Sequence, residues 1–420
     1  MKYKATLDFA QTMDANDPLR EYRSQFFLPP GKSRFEAIYL CGHSLGLQPR
    51  NTRNLIEAEL KDWQNLGVKA HFEGAHPWMY YHEMVTDSLA ALTGARPMEV
   101  VAMNSLTANL HLMMISFYRP TLDRPKILIE GPAFPSDRYA VISQMHYHDL
   151  DPDECLIEIK PERDSGGVST EQILAALEEH GEDVALVLLS PVNYTSGQLL
   201  DIRAIVRAAQ ARGCKVGLDL AHSIGNVVLK LHEWDVDFAV WCSYKYLNAG
   251  PGGIGGCFVH SRHADDNLPR LAGWWGHNQQ TRFMMPPDFE PILGAEGWQL
   301  SNPPILSLAS LRASLALFDE VGIERLRAKS RLLTGYLEFL LADIHSDKIR
   351  QITPKDPSQR GCQLSLQIKG GRILHDRLQE LDIICDWREP DILRLAPVPF
   401  YNHFSDIFQT AEGLKQVLKV

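Results

Sequence analysis

The sequence predicts an α/β fold built on a mostly parallel sheet, with a smaller α+β unit towards its C-terminal end. Three observations carry this expectation. Short apolar runs at 184–189, 215–218 and 238–241 alternate with helix-like stretches such as 170–180 and 202–212, the pattern of strands joined by helical crossovers. The run at 184–189, Val-Ala-Leu-Val-Leu-Leu, is apolar throughout, as a strand covered on both faces requires. Each run gives out into polar residues: Ser190 and Asn193, then Asp219 and His222, then Tyr244 and Lys245. In open sheets of this kind a ligand sits outside the carboxyl ends of the strands.

A chain of 420 residues is long for one core, so two units are expected. Residues 51–309 read as the large domain, and residues 1–50 with 310–420 as the small one. Hydrophobic content of 45% and charged content of 22% belong to an ordinary globular chain. A net charge of −10 and a pI near 5.9 argue against nucleic-acid binding, which needs phosphate-neutralising Lys and Arg. The seven cysteines are scattered without a C-x-x-C pair, so neither a metal site nor a disulfide framework is expected. The opening stretch MKYKATLDFAQTMDANDPL has no apolar signal core, and no apolar run reaches about 20 residues. A cytoplasmic protein with no membrane partner is the expectation.

In order along the chain, residues 37–40 (AIYL) read as a short strand. It leads into Cys-Gly-His-Ser-Leu-Gly (41–46), a turn whose glycines permit tight backbone. Residues 52–65 suggest an amphipathic helix with Leu55, Leu60 and Trp63 on its apolar side. The His- and aromatic-rich stretch 67–81 fits either a loop sealing the core or the wall of a site. A helix to Leu92 is ended by Gly94, and a strand is expected over 99–103. Asn104 and Ser105 then offer a cap to a helix over 107–118, whose Leu106, Leu110, Met113, Met114 and Phe117 recur at helical spacing. The free N–H groups at that helix start form a natural anion site. Residues 126–130 are a strand, and Gly131 to Asp137 a shaped loop presenting Phe134 and Asp137; the stretch 146–161 shows no pattern.

After the regular central region, 271–278 and 297–304 are aromatic and polar loops. Pro303-Pro304 opens a long helical pattern through Leu306, Leu308, Leu311, Leu315 and Leu317, followed by a second around 326–341. A strand at 363–368, a helix at 373–381, a strand at 392–395 and a closing helix at 404–418 complete the smaller unit.

Singly, each polar residue at a strand end has an ordinary structural explanation. Together they suit pyridoxal phosphate, which needs a lysine to bond covalently, a carboxylate for its pyridine nitrogen, phosphate donors and a flat group against its ring. Lys245 supplies the first and Asp219 the second, since an opposite charge keeps the nitrogen protonated. The helix start at Leu106-Thr107 supplies phosphate donors, and Phe134 the flat group. The glycine-rich run 250–256 is followed by no Lys-Ser or Lys-Thr pair and lacks the G-x-G-x-x-G setting, which argues against a nucleotide loop.

Several stretches, in order over nearly the whole chain, resemble the kynureninase family. They are Gly-His-Ser-Leu-Gly-Leu-Gln-Pro (42–49), Phe-Pro-Ser-Asp (134–137), Leu-Asp-Leu-Ala-His-Ser (218–223) and Cys-Ser-Tyr-Lys-Tyr-Leu-Asn-Ala-Gly-Pro-Gly (242–252). Gly-Trp-Trp-Gly-His (273–277), Ser-Asn-Pro-Pro-Ile (301–305) and Arg-Leu-Ala-Pro-Val-Pro (394–399) continue the match. The resemblance implies the aminotransferase-like fold of fold-type I pyridoxal-phosphate enzymes. It implies hydrolysis of L-kynurenine or 3-hydroxy-L-kynurenine to anthranilate or 3-hydroxyanthranilate plus L-alanine. The alternatives on the same scaffold are a cysteine desulfurase or an aminotransferase.

Position by position, the resemblance implies that Lys245 bonds the cofactor and then serves as base. Asp219 meets the pyridine nitrogen with His222 beside it, while Leu106, Thr107 and Tyr244 hold the phosphate. Phe134 covers the ring, with Pro135, Ser136, Asp137 and Ser190 close by. Trp274 and Asn302 arrive at the phosphate from a neighbouring subunit, which implies a homodimer with shared sites. Arg394 takes the substrate carboxylate, for which a planar fork is suited. Ser44, His71 and Asn302 line the substrate, and Tyr244 relays protons if cationic neighbours assist a phenol whose ordinary pKa is about 10. No metal is implied. Two positions depart from the family pattern: His43 stands where Asn is usual, and Trp275 where Phe often occurs. The sequence Ser105-Leu106-Thr107 and Asn302 resemble the eukaryote-like branch, which favours 3-hydroxykynurenine as substrate.

Overall fold

The computed structural model describes residues 2–162 and 166–419. Along the chain the strands are β1 Ile38–Tyr39, β2 Val100–Ala102, β3 Lys126–Glu130, β4 Leu156–Ile159 and β5 Val184–Leu189. Then come β6 Lys215–Asp219, β7 Phe238–Cys242, β8 Gly255–Val259, β9 Ile349–Gln351 and β10 Leu364–Ile368, followed by β11 Ile383–Ile384, β12 Asp386–Arg388 and β13 Ile392–Leu395. Seven strands form the central sheet in the order β2-β8-β7-β6-β5-β3-β4. Neighbours from β7 to β4 run parallel, and β8 is antiparallel to both β2 and β7. The carboxyl ends of β2, β3, β5, β6 and β7 therefore meet at one edge.

Local sequence explains why these elements form. All residues of β5 and β7 are buried, which accounts for their unbroken apolar character. The helix Thr170–His180 begins with a reciprocal capping box between Ser169 and Gln172, satisfying two otherwise free N–H groups. The helix Ile202–Ala211 is capped by Asp201 and buries Ile202, Ile205, Val206 and Ala209 at helical spacing. Each buried Ile or Val here contributes roughly 1.5–3 kcal/mol.

Several expectations need correction. In the helix Thr52–Leu66, Leu60 and Trp63 are exposed, and Leu55 alone of the expected trio packs against the core. The buried positions are Thr52, at the helix start, and Glu59, whose carboxylate accepts from Trp78 Nε1 and Tyr81 Oη; a buried polar contact overrides the apolar count. The shaped loop at 131–137 is shorter than expected, because Pro135 opens the helix Pro135–Tyr147, a favoured use of proline at a first helical position. The featureless stretch 146–161 carries β4, a half-buried edge strand. The glycine run continues into β8, where Gly256 packs on Trp241. Leu306 is exposed, whereas Leu308, Leu311 and Leu315 are buried.

The helix Ile305–Val321 gives Leu308, Leu311, Leu315 and Phe318 to the core of the large sheet, and Leu19, Phe26 and Leu47 join it from the first fifty residues. A second core gathers Ala10, Ile38, Leu40, Leu333, Leu337, Leu364, Leu393, Phe404 and Ile407. It lies against the antiparallel sheet β12-β13-β10-β9. No helix among the described residues is long and apolar enough to cross a membrane.

Candidate active site

The edge where the parallel strands end holds a cavity of about 170 Å³. Ten residues singled out from the sequence line it: Leu106, Thr107, Phe134, Ser136, Asp137, Ser190, Asp219, His222, Tyr244 and Lys245. Tyr194 and Ala221 complete the wall. Larger depressions of about 880 and 300 Å³ run along 264–293 and contain none of these strand-end residues.

Two glycines make the convergence possible. A side chain on Gly46 would strike the Lys245 carbonyl and Asn248, and the Gly46 N–H donates to the Tyr244 carbonyl at 2.8 Å. The segment 42–46 therefore lies directly on the lysine-bearing turn. A Cβ on Gly255 would come within 3.0–3.1 Å of Ser105 and Leu106 backbone, so glycine there lets the Leu106–Phe117 helix start close to the cavity. Ser105 makes no side-chain cap at that start, which leaves first-turn N–H groups for an anion. Thr107 Oγ1 and Ser136 Oγ are 2.8 Å apart and add hydroxyls beside them.

Lys245 Nζ lies 3.1 Å from His222 Nε2 and 5.8 Å from the Phe134 ring centre. Burial, and then the Lys245 charge, push the pKa of His222 well below its ordinary value. The imidazole is thus neutral and accepts from the ammonium. Asp219 closes β6 and accepts the Ala221 N–H through Oδ1 at 2.7 Å. Asp137 is buried, and its Oδ1 has no partner. Burial, followed by the neighbouring Asp219 carboxylate, raises its pKa well above the ordinary carboxylate range. Glu130, at the end of β3, is the third buried carboxyl group here, and its Oε2 accepts the Ser190 N–H at 2.9 Å. Two like charges in a buried space do not both ionise cheaply, so a proton or a cationic partner belongs with the Asp137–Asp219 pair.

Tyr244 departs from expectation. Its pKa is raised, by burial first and then by Cys242 and Asp219, where cationic assistance would have lowered it. The phenol stays protonated at neutral pH, and its raised pKa makes it a weaker acid than an ordinary tyrosine, suited to donating a hydrogen bond.

The remaining predicted site residues lie outside the cavity wall. Pro135 is the exposed first residue of its helix. Trp274 and Asn302 are exposed, and the Trp274 indole N–H donates to the Arg282 carbonyl at 3.1 Å. Ser44 sits in the turn after Cys41, and His71 packs edge-on against Trp78. Arg394 is buried behind the wall, donating from Nη1 to the carbonyl of Tyr194, whose own ring meets Phe134 edge-on. Of the two departures from the family pattern, Trp275 is a buried packing residue with Arg282 over its ring at 4.3 Å. His43 is wholly buried, 6.5 Å from the His222 ring. Sequence reasoning missed Tyr194 and Glu130, though both border strand ends whose neighbours it had singled out.

The residues fit pyridoxal phosphate: an unpartnered buried carboxylate oxygen beside Asp219, a lysine over an aromatic ring, and open helix N–H groups with two hydroxyls. Comparison with solved structures agrees on the fold. The cysteine desulfurase CsdA of Escherichia coli aligns with a TM-score of 0.77 over 96% of this chain and 98% of its own, at 17% identity. The cystine C–S lyase C-DES in complex with cysteine persulfide aligns with a TM-score of 0.73 over 90% and 97%, at 18% identity. This is the fold of fold-type I pyridoxal-phosphate enzymes. Residues 326–414 match the kynureninase C-terminal domain. Curated kynureninases of Koribacter versatilis and Myxococcus xanthus are each 56% identical over 97% of this chain and 96% of their own length. That of Xanthomonas campestris is 54% identical over the same shares. With likeness of this depth along nearly its full length, the chain belongs to the kynureninase family.

Proposed function

We propose that the strand-end cavity is where this chain hydrolyses the Cβ–Cγ bond of L-kynurenine and 3-hydroxy-L-kynurenine, releasing L-alanine and anthranilate or 3-hydroxyanthranilate. The observation that carries this reading is the convergence of Lys245, His222, Asp219, Asp137 and Phe134 on one cavity in a kynureninase-family chain. The cofactor is pyridoxal phosphate, which supplies an electron sink for charge developing on the substrate carbons. Lys245 would hold it covalently, and its Nζ is placed to take the α-proton of the substrate. His222, neutral, accepts a hydrogen bond from Nζ and keeps the amine aimed. Asp219, with Asp137 beside it, would keep the pyridine nitrogen protonated. Leu106 and Thr107, with Ser136, bind the phosphate, and Phe134 covers the ring. Tyr244 hydrogen-bonds the substrate carbonyl, passing it a proton as water adds and taking back the proton that the water gives up. Arg394 takes the α-carboxylate, and Ser44 and His71 face the aromatic end.

Trp274 and Asn302 are exposed and outside the cavity, which supports their serving a second copy across a homodimer. Cytoplasmic location is part of the same reading. A desulfurase is not favoured, because all seven cysteines are free but buried, with none offered as an accessible sulfur carrier. The test is incubation of the cofactor-loaded protein with kynurenine and 3-hydroxykynurenine, following alanine and the fluorescent aromatic acids. Equimolar release supports the reading. Sulfur release from cysteine, or amino transfer to a keto acid, in its place would overturn it.

A further inference from the structure

Behind the cavity wall, strands β12 and β13 set Asp386 directly opposite Arg394. Side chains at directly opposed positions share a face with Cβ atoms about 5 Å apart, so the two cannot separate unless the strands unpair. Arg394 Nε donates to Asp386 Oδ2 at 2.7 Å. Nη2 is 2.6 Å from the same oxygen but makes no aligned hydrogen bond there, and Nη1 donates to the Tyr194 carbonyl at 2.7 Å. Arg388, two residues along β12, sends Nε to the same Asp386 oxygen at 3.1 Å. His43 closes the group: its Nε2 is 4.0 Å from Asp386 Oδ2 and neither ring nitrogen is bonded.

The charges are informative. One carboxylate between two guanidinium groups leaves a net charge of one positive, the complement of a single carboxylate. Burial, with Arg394, Arg388 and Lys245 nearby, keeps His43 neutral, so it leaves that sum unaltered. A buried guanidinium with a spare N–H is expensive unless something arrives to accept it.

From this geometry we infer that Asp386 is the positioning residue for substrate recognition, holding Arg394 through Nε and the close Nη2 contact so that the Nη2 hydrogens, unmatched by any aligned acceptor, are left to an α-carboxylate. The inference rests on the reading of Arg394 as the carboxylate-binding residue. A fork fixed on one edge by a cross-strand neighbour, and on the other by a backbone carbonyl, binds without first being ordered. Arg388, partly solvent-exposed, shares the Asp386 charge and keeps that carboxylate from neutralising Arg394 outright.

The experiment compares kynurenine with its α-amide, which has the same shape and no carboxylate charge. KM and kcat for kynurenine and Ki for the amide are measured in the cofactor-loaded protein and in Asp386→Asn, Asp386→Glu and Arg394→Lys. Asp386→Asn should raise KM by about tenfold, more than it lowers kcat, as expected when ground-state binding is lost. Ki for the amide should stay as in the unaltered protein. Asp386→Glu keeps the charge but displaces the fork; it should raise KM with an unchanged melting temperature, and keeps the question open to test if the Asn variant folds poorly. An unchanged KM in the aspartate variants, or a Ki that rises in step with KM, overturns the inference. Arg394→Lys separates the two levels. If the preference for acid over amide survives it, the Arg394 reading itself fails. If preference is lost there but kept in both Asp386 variants, only the role of Asp386 fails.

Discussion

Replacing Glu130 by Gln should stabilise the cofactor-free protein at neutral and alkaline pH and leave it unchanged in acid. The carboxyl group ends β3, is almost fully buried, and accepts the Ser190 N–H at 2.9 Å. Burial lifts its pKa from 4.5 to about 7, with Asp219 adding to the rise and the Ser190 N–H opposing it. Below the unfolded value of 4.5 both folded and unfolded chains hold the proton, so the group contributes nothing. As pH climbs from 4.5 to about 7 the unfolded chain releases a proton that the folded chain keeps, and stability falls. Above about 7 the loss is complete. At roughly 1.4 kcal/mol per pKa unit, it reaches about 3 kcal/mol. Gln retains an acceptor for Ser190 and carries no charge, so the variant lacks this slope. Urea unfolding at about pH 4, 6 and 8 should give midpoints that coincide in acid and diverge upward for the variant. Parallel curves across the range would refute the assignment of a raised pKa to this group.

Further expectations concern the cavity itself. Thr107→Val removes one of the paired hydroxyls at the helix start and should weaken cofactor binding about tenfold, as loss of a hydrogen bond to a charged group does; equilibrium dialysis measures it. Tyr244→Phe should lower turnover while the visible absorbance of bound cofactor persists, and full turnover would remove the phenol from proton transfer. Trp274→Ala should weaken cofactor binding in a protein that light scattering finds dimeric, whereas a monomer with unaltered affinity would exclude a shared site.

Much of the fold was legible because the parallel strands are short, wholly apolar and punctuated by polar ends. β5, at 184–189, and the closing helix Phe404–Leu418 agree with the sequence reading residue for residue. β4 was not, since all four of its residues are only partly buried and an edge strand carries no strong pattern. The helix Thr52–Leu66 misled because Glu59 is buried by two side-chain donors that a periodicity cannot reveal. Within the site, Ser190, Asp219, His222, Tyr244 and Lys245 were readable at strand ends, Leu106, Thr107, Phe134 and Asp137 at a helix start and a loop, and Ser136 only through family likeness; all ten meet in one cavity. Family likeness supplied Arg394, but its partner Asp386 depends on the register between β12 and β13, which no local pattern discloses. The state of Tyr244 was not legible for a similar reason: burial, Cys242 and Asp219 raise its pKa, and the cationic assistance a relay would need does not offset them.

The central claim is that Lys245 is the residue that bonds the cofactor. Borohydride reduction of the protein loaded with pyridoxal phosphate, followed by proteolysis and mass spectrometry, tests it without requiring turnover. The account predicts the cofactor's mass on the peptide bearing Lys245, and no such adduct in Lys245→Ala. An adduct on another lysine, with Lys245 unmodified, would contradict it.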